Sequence, residues 1–277
     1  MKLLLDGLAF PEGARWHDGR LWFCHWIAQQ VVAVDADGTT ESFDVPVENS
    51  MGWSVDWLPD GRMLTSGDKL RRYEPDGTIT VLAEQGGNEL VVDAQGNVYV
   101  DGADFDFAGG EEPKPGWIRL VTPDGQVRQV AGDIQFPNGM VLTPDGKTLV
   151  ISESFAGRLT AFDVEPDGGL SNRRVYAENL GPDGIVLDAE GAIWSQTWNE
   201  GVVRVAPDGE ILERIDIPEN RAPFSLGLVD FDGPTLCLLT AEWRPADSIT
   251  DNLARLTNGP RTGQIHTVPV AVPPAAR

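Results

Sequence analysis

Phe136-Pro137-Asn138-Gly139-Met140-Val141-Leu142-Thr143-Pro144-Asp145-Gly146 joins a polar residue, a short apolar strand and a Pro-Asp-Gly turn, and the chain repeats this phrase. Counting eight residues back from the glycine of each matching turn selects Trp53 from Gly61, Asn88 from Gly96, Asn138 from Gly146, Asp183 from Gly191 and Ser225 from Gly233. From Gly19 a step one residue shorter gives Glu12. Equivalent positions in a ring of repeats converge on its axis, so this series is expected to line one central site. Glu12, Asn88, Asn138 and Asp183 are oxygen donors of the kind that hold a hard cation.

The turns fall into two interleaved series. One runs through Asp18-Gly19, Asp60-Gly61, Gln95-Gly96, Asp145-Gly146, Glu190-Gly191 and Asp232-Gly233. The other runs through Asp37-Gly38, Asp76-Gly77, Asp124-Gly125, Asp167-Gly168 and Asp208-Gly209. Between them lie short runs of β-branched, aromatic and aliphatic residues, the pattern of hairpins. Each series recurs roughly every 35–50 residues, the period of a four-stranded propeller blade. The expectation is therefore an all-β fold, a single six-bladed β-propeller domain of four-stranded antiparallel blades covering residues 1–277. The second series is one member short, and a single strand, Gln264-Ile265-His266-Thr267-Val268, follows the last turn. Lys2–Leu5 is a spare strand ahead of the first blade, so it is predicted to complete the last blade and close the ring, removing two open edges. Residues 101–116 and 242–258 are long connections predicted to overhang the channel mouth, the first carrying Asp104-Phe105-Asp106-Phe107.

Composition narrows the partners. A formal charge of −22 provides no basic footprint for nucleic acid or an anionic membrane. No apolar run approaches the ~18 residues of a membrane span, and the amino-terminal run is too short for a signal-peptide core. Cys24 and Cys237 sit in apolar strands and read as buried thiols, and the expected compartment is the cytoplasm. A small-molecule substrate and a monomer or weak homodimer complete this expectation.

In the ring, Glu12, Asn138, Asp183 and Asn88 would supply four oxygens to one divalent ion, leaving positions for water and substrate. Ca²⁺ is the first expectation, with Mn²⁺, Mg²⁺ and Zn²⁺ as alternatives. The ring has no His or Cys, which argues against a conventional zinc site. Turn chemistry alone would account for Asn-Gly and Asp-Gly pairs, but it would not select Glu12. Such an ion polarises a carbonyl or phosphoryl oxygen and orients water. Asp183 is then the candidate general base, or a nucleophile. Asn88, Trp53, Asp104, Trp198 and Ser225 are the candidate substrate contacts. The chain has no Gly-x-Ser-x-Gly elbow and no phosphate-binding glycine loop.

Four segments carry a resemblance: Phe10-Pro11-Glu12-Gly13-Ala14-Arg15-Trp16, Gly87-Asn88-Glu89-Leu90-Val91-Val92-Asp93, Phe136-Pro137-Asn138-Gly139-Met140 and Gly181-Pro182-Asp183-Gly184-Ile185. In this order and spacing they resemble the SMP-30/gluconolactonase/LRE family, the regucalcin-like lactonases, over essentially the whole chain. The resemblance implies a six-bladed propeller with one divalent metal at the channel mouth and hydrolysis of sugar lactones. It implies metal ligation by Glu12, Asn138 and Asp183, with Asp183 as base and Asn88 as substrate contact or further ligand. The chain departs from the pattern at Gly86, where animal members carry a sugar-binding Arg, at Glu89 in place of Asp, and at His25 in place of an acid. Trp53, Trp198 and Phe224 are expected to make the mouth aromatic, which suits a flatter, less hydroxylated lactone or ester.

Overall fold

A tight hairpin needs a residue with positive φ, which glycine supplies without steric cost. In the computed structural model all eleven turn glycines of the two series adopt it, with φ between 68° and 130°. The structure describes residues 1–48, 51–106, 110–198 and 201–276. The turns connect six four-stranded antiparallel sheets, the blades of a six-bladed β-propeller. The innermost strands are Pro11–His17, Val55–Trp57, Leu90–Val92, Pro137–Leu142, Val186–Leu187 and Arg221–Asp230. Each touches the next around a closed ring. Outermost strands such as Thr40–Asp44 are exposed, whereas the second and third strands are mostly buried.

The ring closes as the turn count predicts. Lys2–Leu8 is the outermost strand of the sixth blade and pairs with Gly263–Pro269, with Lys2 opposite Thr267 and Leu5 opposite Ile265. The core lies between blades rather than in one central mass. Leu21, Phe23 and Val32 of the first blade pack against Val229, Cys237, Leu239 and Ile265 of the sixth. Side chains of this size contribute about 1.5–3 kcal/mol each when fully buried, so the seam is held by apolar packing as well as by the strand pairing. Both cysteines are free and buried, as read from the sequence.

One of the two long connections contains regular structure. Residues 249–258 form a helix, Ile249–Asn258, whose start is capped by Ser248 accepting from the Asp251 amide at 3.1 Å. Leu256 is buried against Phe10, Phe224 and Ala241, and Asn252 is fully buried, accepting from the Arg244 amide and donating to its carbonyl. The helix is therefore a packed element. In the other connection, Asp104 is exposed and accepts from Trp117 Nε1 at 3.3 Å, and Phe107 lies outside the described residues.

Candidate functional site

The donors enter from four blades. Glu12 and Asn138 are the second residues of their inner strands, and Asn88 and Asp183 lie just before theirs. Phe10 and Phe136, ahead of the two Pro-Xaa-Gly segments, both take left-handed backbone at φ 59° and 58°. That conformation is unfavourable for a bulky residue and precedes a register shift in each strand pair, between Glu12 and Arg15 and between Pro137 and Met140. Shifts of this kind turn a side chain out of the sheet's normal alternation. The glycines after Asn138 and Asp183 are not turn residues: neither has positive φ. A Cβ on Gly139 would meet the Asp183 carbonyl at 2.5 Å, and one on Gly184 would meet Ser225 Oγ at 2.7 Å. These Xaa-Gly pairs are packing signals, placed where neighbouring inner strands nearly touch.

The structure brings these side chains together. Asn88 Nδ2 donates to Asn138 Oδ1 at 3.2 Å, and Asn138 in turn hydrogen-bonds the Asp183 carboxylate. Asp183 is fixed through its backbone: its amide donates to Gln196 Oε1 at 2.9 Å and its carbonyl accepts from Ser152 Oγ at 2.8 Å. Ser66 Oγ holds the Asn88 carbonyl at 2.7 Å. Glu12 is buried and accepts from the Gly13 amide. Burial, then repulsion from Asp183 and Glu89, pushes its carboxyl well above the usual range. Burial, then repulsion from Glu89, pushes Asp183 up to about 8. Two crowded carboxyls and two amide oxygens form an all-oxygen donor set that matches a hard cation.

Beneath the donors lies an ion pair between two residues of the quoted segments, whose contact the sequence did not show. Arg15 crosses from the first blade to the third, donating to Glu89 Oε2 at 2.9 Å and to the Leu90 carbonyl at 2.8 Å. Both side chains are buried, at 7% and 8% exposure. Arg15 also lowers the Glu12 carboxyl, so it partly offsets the acids above it. Asp101 lies behind: its Oδ1 accepts from the Glu89 amide at 2.8 Å, Oδ2 has no partner, and burial raises its carboxyl strongly. In the sequence Arg15 lies three residues past Glu12 and Glu89 one past Asn88, where it stands in place of the usual Asp.

The expected aromatic and polar lining needs correction. Trp53 has no exposed surface: its ring is buried among Cys24, Val31, Val45, Val47 and Val55, so it is a core residue and not a substrate contact. Ser225 is 2% exposed, and its Oγ accepts from the Ala14 amide at 3.0 Å, tying the sixth blade to the first. Phe224 is buried with Phe10 and Trp243. Trp198, by contrast, is 62% exposed, packed over Gly181, and Phe155 is exposed and stacked on Phe136 at 4.2 Å. The fourth and fifth blades thus each expose an aromatic side chain, Phe155 and Trp198. His25 faces away from ligand chemistry: its Nε2 accepts from the Ala9 amide at 2.6 Å, and burial with Arg261 nearby lowers it to about 4.

A six-bladed propeller with carboxylates and amides gathered at the start of its inner strands defines the class of protein. The chain belongs to the SMP-30/gluconolactonase/LRE-like family, whose family model matches residues 10–242. Pentonolactonase XacC of Haloferax volcanii is 30% identical over 240 residues, 81% of this chain and 78% of that one. Diisopropyl-fluorophosphatase of Loligo vulgaris is 27% identical over 159 residues, 49% of this chain and about half of its own length, 51%. A solved structure described as a calcium-binding protein, regucalcin, from Agrobacterium tumefaciens superposes with a TM-score of 0.77 over 99% of this chain and 94% of that one. At 22% identity, that last likeness is one of fold.

Proposed function

We propose that the chain is a divalent-metal-dependent hydrolase that opens a lactone ring. The observation that carries this reading is the convergence of Glu12, Asn138, Asp183 and Asn88 from four blades, which crowds two carboxyls that a cation would relieve. These four residues would hold the ion, Ca²⁺ in the first instance, which supplies polarisation of the substrate carbonyl. Asp183 takes a proton from the attacking water and returns it to the ring oxygen as the ester bond breaks, giving a hydroxy acid. Gln196 and Ser152 keep its backbone still during that exchange. Asn88 orients Asn138 and offers its remaining polar edge to substrate.

The relative named pentonolactonase supports a lactone as substrate class. A less hydroxylated ring suits the exposed Trp198 and Phe155. Gly86 points the same way: a Cβ there would meet the Gly67 carbonyl at 2.5 Å, so no sugar-gripping arginine fits without a backbone shift. The fluorophosphatase relative favours a second reading, phosphoester or organophosphate hydrolysis on the same donors.

Acid release at constant pH, measured on gluconolactone, an aliphatic γ-lactone and an aromatic lactone, tests the proposal. Activity is expected to vanish with chelator, return with Ca²⁺ or Mn²⁺, and fall roughly 10²–10⁴-fold in Asp183→Asn. No lactone turnover by the metal-loaded protein, with turnover of an organophosphate instead, would move the assignment to the second reading. A strict preference for gluconolactone would remove the aromatic-mouth argument.

A further inference from the structure

Acidic residues outnumber basic ones 43 to 21, so arginines here rarely lack a carboxylate. Glu153 receives two, Arg158 and Arg173, and Glu74 receives two more, Arg62 and Arg72. Among the described residues Arg221 and Arg261 receive none, and both line one cavity of about 670 Å³ on the sixth blade, bounded also by Arg244, Thr262 and Gln264. Its lining shares no residue with the donor ring.

Arg221 is half-buried and held rigidly. Its Nε donates to Thr240 Oγ1 at 2.9 Å, and its Nη2 donates to the Thr262 carbonyl at 2.6 Å and the Thr240 carbonyl at 3.2 Å. Its Nη1 has no hydrogen-bond partner among the described residues. Burial without a bonded carboxylate lowers its pKa. Three acids share the cavity, but Asp6 and Glu219 are exposed and form no ion pair with either arginine. Glu242 is already taken by Arg244. A fixed guanidinium with one edge open, beside a second unpaired guanidinium, is the arrangement that receives a planar oxyanion.

We propose that this cavity is a second small-molecule site, which takes an organic carboxylate on Arg221 and Arg261. The ligand's carboxylate completes the open Nη1 edge, and Arg261 closes over it from the exposed rim. The site needs neither the ring donors nor a cation.

Calorimetric titration of the full chain in chelator with gluconate tests this, with glucose as the uncharged control and inorganic phosphate as the alternative anion. Gluconate is expected to bind with one site and glucose not at all. Arg221→Gln and, because its side chain is exposed and safe to alter, Arg261→Gln should each weaken binding roughly tenfold. Asp183→Asn should leave it unchanged, which separates this site from the proposed lactonase mouth. Absence of gluconate binding, unaltered affinity in both arginine variants, or binding of phosphate alone would each overturn the assignment.

Discussion

The first and fourth blades present the same device with different chemistry. Phe10-Pro11-Glu12-Gly13 and Phe136-Pro137-Asn138-Gly139 begin with a left-handed Phe, and each Phe carbonyl accepts an amide from a short 3-10 turn, Trp26–Ala28 or Ser154–Ala156. Each turn closes on a left-handed residue, Gln29 or Gly157. The residue before each turn then reaches back to the amide preceding the Phe: His25 Nε2 to Ala9 at 2.6 Å, Glu153 Oε2 to Gln135 at 2.8 Å. A neutral ring and a carboxylate thus do one mechanical task. They differ in charge: Glu153 is surrounded by Arg158, Arg173 and Thr160, whereas His25 stays neutral in a buried site. The scaffold specifies an acceptor, and the surroundings decide whether it carries charge.

The largest expected difference between the two blades is in truncation. Glu153→Ala leaves the Gln135 amide and the buried Thr160 hydroxyl without their acceptor as well as unpairing two arginines, and should cost about 2–4 kcal/mol by denaturant unfolding. His25→Ala removes one neutral acceptor and should cost about 1–3 kcal/mol. Equal losses would break the comparison.

A pH series sharpens it. His25 is lowered to about 4, so between its unfolded value near 6.5 and that pH the unfolded chain binds a proton that the native one does not. Stability from this group is complete above about 6.5 and is lost as pH falls, by about 3 kcal/mol in all. The mouth carboxyls act oppositely: Asp183 is raised to about 8, so metal-free protein loses their contribution as pH climbs from about 4 to 8. Subtracting a His25→Gln variant isolates the first trend. Glu12→Gln, measured in chelator at pH 8.5, should raise Tm by relieving the second. No change in either difference would mean that these groups titrate normally.

The smallest effect separates the two phenylalanines. Phe10 is buried under Trp26 and Phe224, whereas Phe136 is half-exposed against Phe155. Phe10→Leu should cost more than Phe136→Leu, with the gap about 1 kcal/mol.

The blade count and the ring closure were legible because glycine turns are local and each reports its own backbone. The four donors were legible as one repeat position because the turn-to-mouth distance is nearly constant. Trp53 and Ser225 share that position yet do not face a ligand. Side chains alternate along a strand, so the position fixes where the backbone lies but not which way it points. Arg15 and Glu89 were hidden for another reason: their contact spans 74 residues of sequence and exists only once the ring is closed. The helix Ile249–Asn258 had a readable cap in Ser248 and Asp251, but its short apolar face was lost among strand signals.

The pairing of Lys2–Leu8 with Gly263–Pro269 has an entropic side. Its contacts join residues up to 265 apart in sequence, as between Lys2 and Thr267. Closing so long a loop costs more chain entropy than closing any hairpin within a blade. The seam is therefore the contact in which the packing of the first blade against the sixth has the largest loop to offset.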